Sequence, residues 1–265
     1  MKLARCGGVA ALLLVVLAGG VPAGEVVVTT SDKLGLALSG DGVLRQLSVD
    51  GRNIARTDVP DFCPLSVCDV TKGTDFVPAK GQTTGEANSA IVQNAAMDSL
   101  SLKATARYEA SAELIRIKLT VTDTTGADRG LYVRFALPVD AEGWSWWDDV
   151  ATPRKIGQTG TFENSRAMRE FASLPEWRDK PALKMGSYAV NFCSVITGPA
   201  GLCYAVPLDQ PRIFRTGYDA DKKLFYIVYD VALAKETNPP GAAEFNFLLY
   251  RYQLLFTNLL QILIE

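Results

Sequence analysis

Histidine is absent from all 265 residues. Without an imidazole the chain cannot build a Ser-His-Asp triad, a Cys-His dyad or a histidine-liganded zinc site, and it has no histidine general base. Any catalysis must come from carboxylates, Lys, Tyr, Cys or Arg. An excess of charge is missing too: 27 Lys+Arg against 29 Asp+Glu leave a formal net charge of −2. That balance excludes the basic footprint that holds nucleic acid by its phosphates. Glycine and proline, at 22 and 13 residues, are too few and too scattered for a collagen-like or low-complexity chain. What remains, 48% hydrophobic and 21% charged, is the composition of a globular protein with enough chain to bury a real core.

Long apolar runs are also rare, and the first has the layout of a leader. Lys2 and Arg5 precede the run VAALLLVVLA from Val9 to Ala18, and Val21-Pro22-Ala23 has the small-residue pattern of a signal-peptidase site. A membrane span needs about 20 apolar residues, and Gly19, Gly20 and Pro22 interrupt this one. Residues 1–23 are therefore expected to be a signal peptide, with the mature chain periplasmic or extracellular and free of the membrane. Cys6 lies ahead of the apolar run, so it is not placed for lipid attachment.

Export changes how the other cysteines read. Cys63, Cys68, Cys193 and Cys203 would meet an oxidising compartment, where three pairings are open to them. The segment from Phe192 to Cys203, FCSVITGPAGLC, reads as a hairpin. With its turn centred on Gly198, Cys193 and Cys203 sit opposite each other as a candidate disulfide. A one-residue change of register leaves them as two small buried thiols instead. Zinc is disfavoured by the four residues between Cys63 and Cys68 and by the lack of histidine, so no metal and no cofactor is expected.

Beyond the leader the period is mostly two, which predicts strands. Glu25–Thr30, Leu34–Leu38 and Val43–Val49 are punctuated by Ser39–Gly42 and by Asp50-Gly51, a strong hairpin signal. Residues 52–98 are interrupted by Pro60, Pro64, Pro78 and glycines, and predict only short strands. Clearer alternation follows in Ser99–Tyr108, Leu114–Thr122, Leu131–Leu137, Tyr188–Val195, Gly201–Val206, Pro211–Tyr218, Leu224–Tyr229 and Glu244–Tyr250. The loop Asp219–Lys223 reads as a plain hairpin turn, without calcium-loop spacing. Such a series of short strands and polar turns implies an all-β, antiparallel sandwich or barrel.

Two stretches break the pattern. Residues 144–186 are long, polar and irregular, which suits either a functional loop or disorder. The end reads LLFTNLLQILIE, with Leu255, Leu259 and Leu263 at helical spacing and no C-cap, as if an element were cut short.

The densest chemical feature is Trp144-Ser145-Trp146-Trp147-Asp148-Asp149. On an extended strand Trp144 and Trp146 share one face and Trp147 takes the other. Indole faces can stack on sugar rings while carboxylates accept hydroxyl protons; equally, the rings can fill the core with the aspartates in the next turn. Trp146, Trp147, Asp148, Asp149 and Trp177 are the candidate sugar-binding residues, and no catalytic residue is assigned. Adjacent Asp148 and Asp149 diverge on a strand, so glycosidase chemistry would need a partner such as Glu163 or Glu170 folded in. A calcium site from Asp140, Glu142, Asp148 or Asp149 would lack EF-hand spacing. Arg212 and Arg215, three apart, point to opposite faces of a strand.

These residues carry a resemblance. Leu38-Ser39-Gly40-Asp41-Gly42-Val43-Leu44 through Asp50-Gly51 resembles the opening hairpin of galactose-mutarotase-like β-supersandwich domains, which occur in secreted bacterial glycoside hydrolases and polysaccharide lyases. Asp123–Gly130, Leu137-Pro138, Trp144–Asp149 and Gly201–Tyr250 are similar to segments of bacterial proteins of that kind. The resemblance implies a supersandwich over residues 24–250, followed by an apolar tail at 251–265. In such proteins the sandwich commonly precedes a larger catalytic region, which the likeness does not reach. The catalytic histidines of mutarotases have no counterpart here, so epimerase activity is not implied. The resulting expectation is an exported carbohydrate-binding or ancillary domain, non-catalytic alone, with carbohydrate and a missing C-terminal catalytic region as partners. The alternative is a glycosidase or polysaccharide lyase acting through carboxylates.

Overall fold

Alternation of buried and exposed side chains, read along one strand after another, is what builds this molecule. The computed structural model describes residues 24–86, 88–147, 153–165, 193–207, 209 and 212–252. Its first strands are β1 (Val26–Thr29), β2 (Leu34–Leu38), β3 (Leu44–Val49), β4 (Arg52–Asn53), β5 (Leu65–Asp69), β6 (Val77–Pro78) and β7 (Gln82–Glu86). There follow β8 (Ser89–Met97), β9 (Leu102–Ala110), β10 (Leu114–Asp123), β11 (Arg129–Pro138), β12 (Ser145–Trp147), β13 (Pro153–Lys155) and β14 (Thr161–Ser165). The last are β15 (Cys193–Thr197), β16 (Gly201–Ala205), β17 (Phe214–Asp219), β18 (Leu224–Leu233) and β19 (Ala242–Arg251).

The strands make three antiparallel sheets. Four run in the order β1-β2-β3-β4, nine in the order β13-β12-β15-β16-β19-β10-β9-β8-β7, and six in the order β14-β17-β18-β11-β5-β6. The two larger sheets face each other across an aromatic core. Phe135 of β11 lies 5.1 Å from Phe247 of β19, and Tyr204 of β16 stacks on Phe225 of β18 at 4.4 Å and 18°. Such ring pairs add about 0.5–1.5 kcal/mol each beyond the area they bury. The four-stranded sheet closes the same core with Val28, Leu34, Leu36 and Leu47.

A buried ion triad ties the sheets together. Arg129 of β11 donates from Nη2 to Asp69 of β5 at 2.6 Å and from Nη1 to Asp123 of β10 at 2.7 Å. The first partner lies in its own sheet and the second in the sheet opposite.

The all-β, antiparallel expectation is met, with corrections at particular strands. β8 was not foreseen as a nine-residue strand, because a bulge between Val92 and Ala95, with Asn94 at φ 53°, breaks its period of two. The strand expected from Ser99 begins only at Leu102, because Asp98–Leu100 form a 3-10 turn that ends on Ser101 at φ 54°. The expected signal peptide, most of the apolar tail and part of the strand from Tyr188 lie outside the described residues.

Candidate functional site

Strand β12 carries the aromatic segment, and its alternation scatters the indoles. Trp146 faces the core with 0% of its surface exposed, its ring centroid 6.3 Å from that of Phe162. It is therefore closed to a sugar, contrary to its place among the candidate binding residues; a cross-sheet core position claimed the largest ring available. Trp147 faces the other side, half-buried, and its Nε1 donates to Thr197 Oγ1 at 2.9 Å. Trp144 packs under the hairpin tip, where a Cβ on Gly198 would come within 2.4 Å of its ring. The three indoles thus form no common platform. Asp148, Asp149, Glu170 and Trp177 lie outside the described residues.

The hairpin that follows corrects the cysteine register. Thr197 pairs with Gly201, so the turn centres on Pro199 and not on Gly198. Cys193 then sits opposite Ala205, and Cys203 opposite Val195, which makes the two cysteines diagonal neighbours on one face. They are free thiols, as are Cys63 and Cys68. A hydrogen bond with Cys193, reinforced by burial, drives the Cys203 thiol well above its ordinary pKa. Burial pushes Cys63 up to about 11. Thiolate is the reactive form, so alkylation of the folded protein should modify Cys68, the half-buried thiol of the four, well before Cys63 or Cys203. Peptide mapping after timed iodoacetamide treatment checks the order.

A cavity of about 240 Å³ opens beside this hairpin, lined by Val49, Asp50, Thr197–Gly201, Arg251 and Tyr252. It falls below the ~300–1,000 Å³ usual for ligand pockets. The Arg251–Asp50 ion pair, at 2.6 Å, lies along its lining.

A richer constellation lies on the outer face of the six-stranded sheet. On β11 the residues Leu131, Val133, Phe135 and Leu137 point inward, leaving Tyr132 and Arg134 outside. The register sets Arg134 beside Val228 of β18, and Val228 in turn beside Arg215 of β17. Ala136 and Tyr226 pair in the next row, continuing to Gly217 and to Glu163 of β14. Tyr132 and Asp230 pair in the row on the other side. Buried Val228, Ala136 and Gly217 make the floor, with polar and aromatic side chains around them.

Glycine is required at one point of that floor. A Cβ on Gly217 would meet Tyr226 Oη at 2.5 Å, so only glycine lets the phenol reach across β17. There Tyr226 donates to Glu163 Oε2 at 2.8 Å. Burial and the neighbouring Glu163 charge raise the Tyr226 pKa far above the ordinary phenol value, so it stays protonated at neutral pH. Arg215 donates to Asp230 at 3.0 Å and lies 4.6 Å over the Tyr132 ring. Arg134 donates from Nε to Ser66 Oγ at 3.1 Å, its guanidinium 3.8 Å over the Phe76 ring. Nothing in the sequence marks these residues as a group. Each strand shows its own outward side chains, but only the order β14-β17-β18-β11-β5 brings them together.

The remaining candidates have other tasks. Asp140 pairs with Lys223 at 2.5 Å, and Glu142 accepts from Gln158 at 2.9 Å. Asp219 receives the Lys222 amide at 3.0 Å in the expected hairpin turn. Among the described residues no cluster of three or more Cys, Asp or Glu is placed to hold a metal.

Two facing antiparallel sheets with a smaller third define the class as an all-β supersandwich. Within that class the chain has the galactose mutarotase-like fold. It superposes on a putative aldose 1-epimerase from Escherichia coli with a TM-score of 0.50 at 11% identity, covering 87% of this chain and 100% of that one. A galactose mutarotase-like protein from Lactobacillus casei follows at 0.49 and 9%, with 86% and 100% covered. A GH36 alpha-galactosidase from Geobacillus stearothermophilus, in complex with stachyose, gives 0.46 and 9%, with 86% of this chain and 40% of that one covered. No protein-family model and no curated protein matches the sequence.

Proposed function

We propose that the chain is an exported carbohydrate-binding domain, ancillary to a carbohydrate-active protein and non-catalytic alone, which holds sugar on the outer face of its six-stranded sheet. The observation that carries this is Tyr226, seated across Gly217 and fixed by Glu163 among further aromatic and charged side chains. A sugar ring offers apolar C–H faces to aromatics and hydroxyls to charged groups, and this face has both. Export rests on the leader-like residues 1–23, and the ancillary role rests on the lack of histidine.

The alternative, a glycosidase or polysaccharide lyase acting through carboxylates, draws on Glu163 beside Tyr226. It is the weaker reading, because Glu163 is engaged by the Tyr226 hydroxyl and glycosidase chemistry needs a second carboxyl about 5–9.5 Å away across the substrate.

Affinity gel electrophoresis on a panel of soluble polysaccharides tests the proposal. Retention is expected on at least one glycan, and Tyr226→Ala should weaken it about tenfold, the scale of losing a well-placed aromatic contact. Trp147→Ala, on the other sheet, should leave it unchanged. Retention on no glycan, or retention indifferent to Tyr226, overturns the proposal. Turnover of a glycan that vanishes in Glu163→Gln establishes the enzymatic alternative.

A further inference from the structure

Arg134 is a half-buried guanidinium that, among the described residues, pairs with no carboxylate. Other arginines in comparable surroundings are matched: Arg129 with Asp69 and Asp123, Arg215 with Asp230, and Arg251 with Asp50. Among the described residues, Arg134 has the Ser66 hydroxyl at its Nε and the Phe76 ring against its flat face. Among the described residues its Nη1 and Nη2 make no hydrogen bond or ion pair, and neither is sealed from solvent. Burial draws its pKa below the ordinary guanidinium value, and the Asp219 charge, which makes no ion pair with it, only partly opposes the shift. Keeping a desolvated cation without a counter-charge is unfavourable, and fixing it by a ring and a hydroxyl organises its free edge in advance.

That free edge has a definite chemistry. Two parallel N–H donors of a guanidinium match the two oxygens of a carboxylate, which a compact ammonium does not. Val228 alone separates Arg134 from Arg215 along the row, and Tyr226 lies in the adjacent row. The anion that Arg134 would take is thus held beside the aromatic ring assigned to sugar.

We infer that the sugar bound on this face is acidic, a hexuronate, with Arg134 as the anchor for its carboxylate. This rests on the carbohydrate-binding reading of the same face and narrows its ligand.

Titration calorimetry with the full chain compares three probes: a hexuronate oligosaccharide, its neutral hexose counterpart and a sulfated counterpart. The uronate should bind about tenfold or more tightly than the neutral sugar, with an affinity that falls as salt is raised. Arg134→Gln should abolish that preference, and Arg134→Lys should restore only part of it. Because Arg134 bridges no carboxylate, both variants should keep the parent melting temperature. Neutral sugar bound equally well, through Tyr226, overturns the acidic assignment while leaving carbohydrate binding intact. A uronate preference that survives Arg134→Gln overturns the anchor. Tightest binding of the sulfated probe through Arg134 replaces the carboxylate with a sulfate and overturns the hexuronate. Binding of none of the three, together with none on the polysaccharide panel, removes both readings.

Discussion

Replacing Arg129 with Met is expected to remove about 3–5 kcal/mol of stability at neutral pH, the usual cost of stripping one partner from a buried ion cluster. The guanidinium is 3% exposed, and Asp69 and Asp123 are 0% exposed, so neither carboxylate could turn to water for compensation. Burial alone would raise the pKa of both acids. Hydrogen bonds from Arg129, with backbone amides of Lys72 and Ala127 assisting, overcome that and hold both below the ordinary carboxylate value. A carboxylate whose folded pKa is depressed contributes its stability above the unfolded value, roughly 3.9, and loses it as the pH falls toward the folded value. In Arg129→Met the burial effect is opposed only by the remaining amide and hydroxyl donors, so protonation penalises the variant less than the parent. Urea denaturation at pH 7 and near pH 3.5 should therefore show a wide gap in midpoint that narrows on acidification. A loss under about 1 kcal/mol at pH 7, or a gap of constant width, would show that the triad is not the tie between the sheets.

How much of this was legible depends on whether the information is local. Strands such as β10 and β11 alternate without interruption, and their residue-by-residue reading gives both the element and its buried face. β8 hides because one bulge inserts two exposed residues, Gln93 and Asn94, between buried Val92 and Ala95, so a period-two template loses phase. The Arg129 triad was invisible for another reason: Asp69 lies 60 residues away, in the stretch broken by prolines and glycines. The outer face of the six-stranded sheet is a non-local fact of the same kind. Glu163, Tyr226 and Arg134 sit on three strands whose adjacency depends on the pairing order, and no spacing within any one strand encodes it. The cysteine hairpin shows the finest limit. Its existence was readable, but placing the turn centre at Pro199 instead of Gly198 moved Cys203 from opposite Cys193 to opposite Val195.

The aromatic segment separates local pattern from actual role most sharply, and a pair of substitutions exposes it. Trp146→Ala should cost about 3–5 kcal/mol, the range for emptying a large aromatic site in a packed core. At about 2–4 °C per kcal/mol for a chain of this size, the melting temperature falls by roughly 6–20 °C. Trp147→Ala should cost far less, about 1–2 kcal/mol, since it removes one hydrogen bond to Thr197 and the packing of a half-buried ring. Sequence alone treats the two indoles as equals, one residue apart on one strand. Only the identity of the layer on each side distinguishes them: Trp146 meets the main core, whereas Trp147 joins Cys193, Val195, Cys203, Leu248 and Tyr250 on the opposite face. Calorimetric melting of both variants, run beside glycan retention, gives the contrast directly. Trp146→Ala that melts like the parent yet no longer holds glycan would return the segment to sugar binding; a large drop in melting temperature confined to Trp146→Ala fixes it as the keystone of the interior.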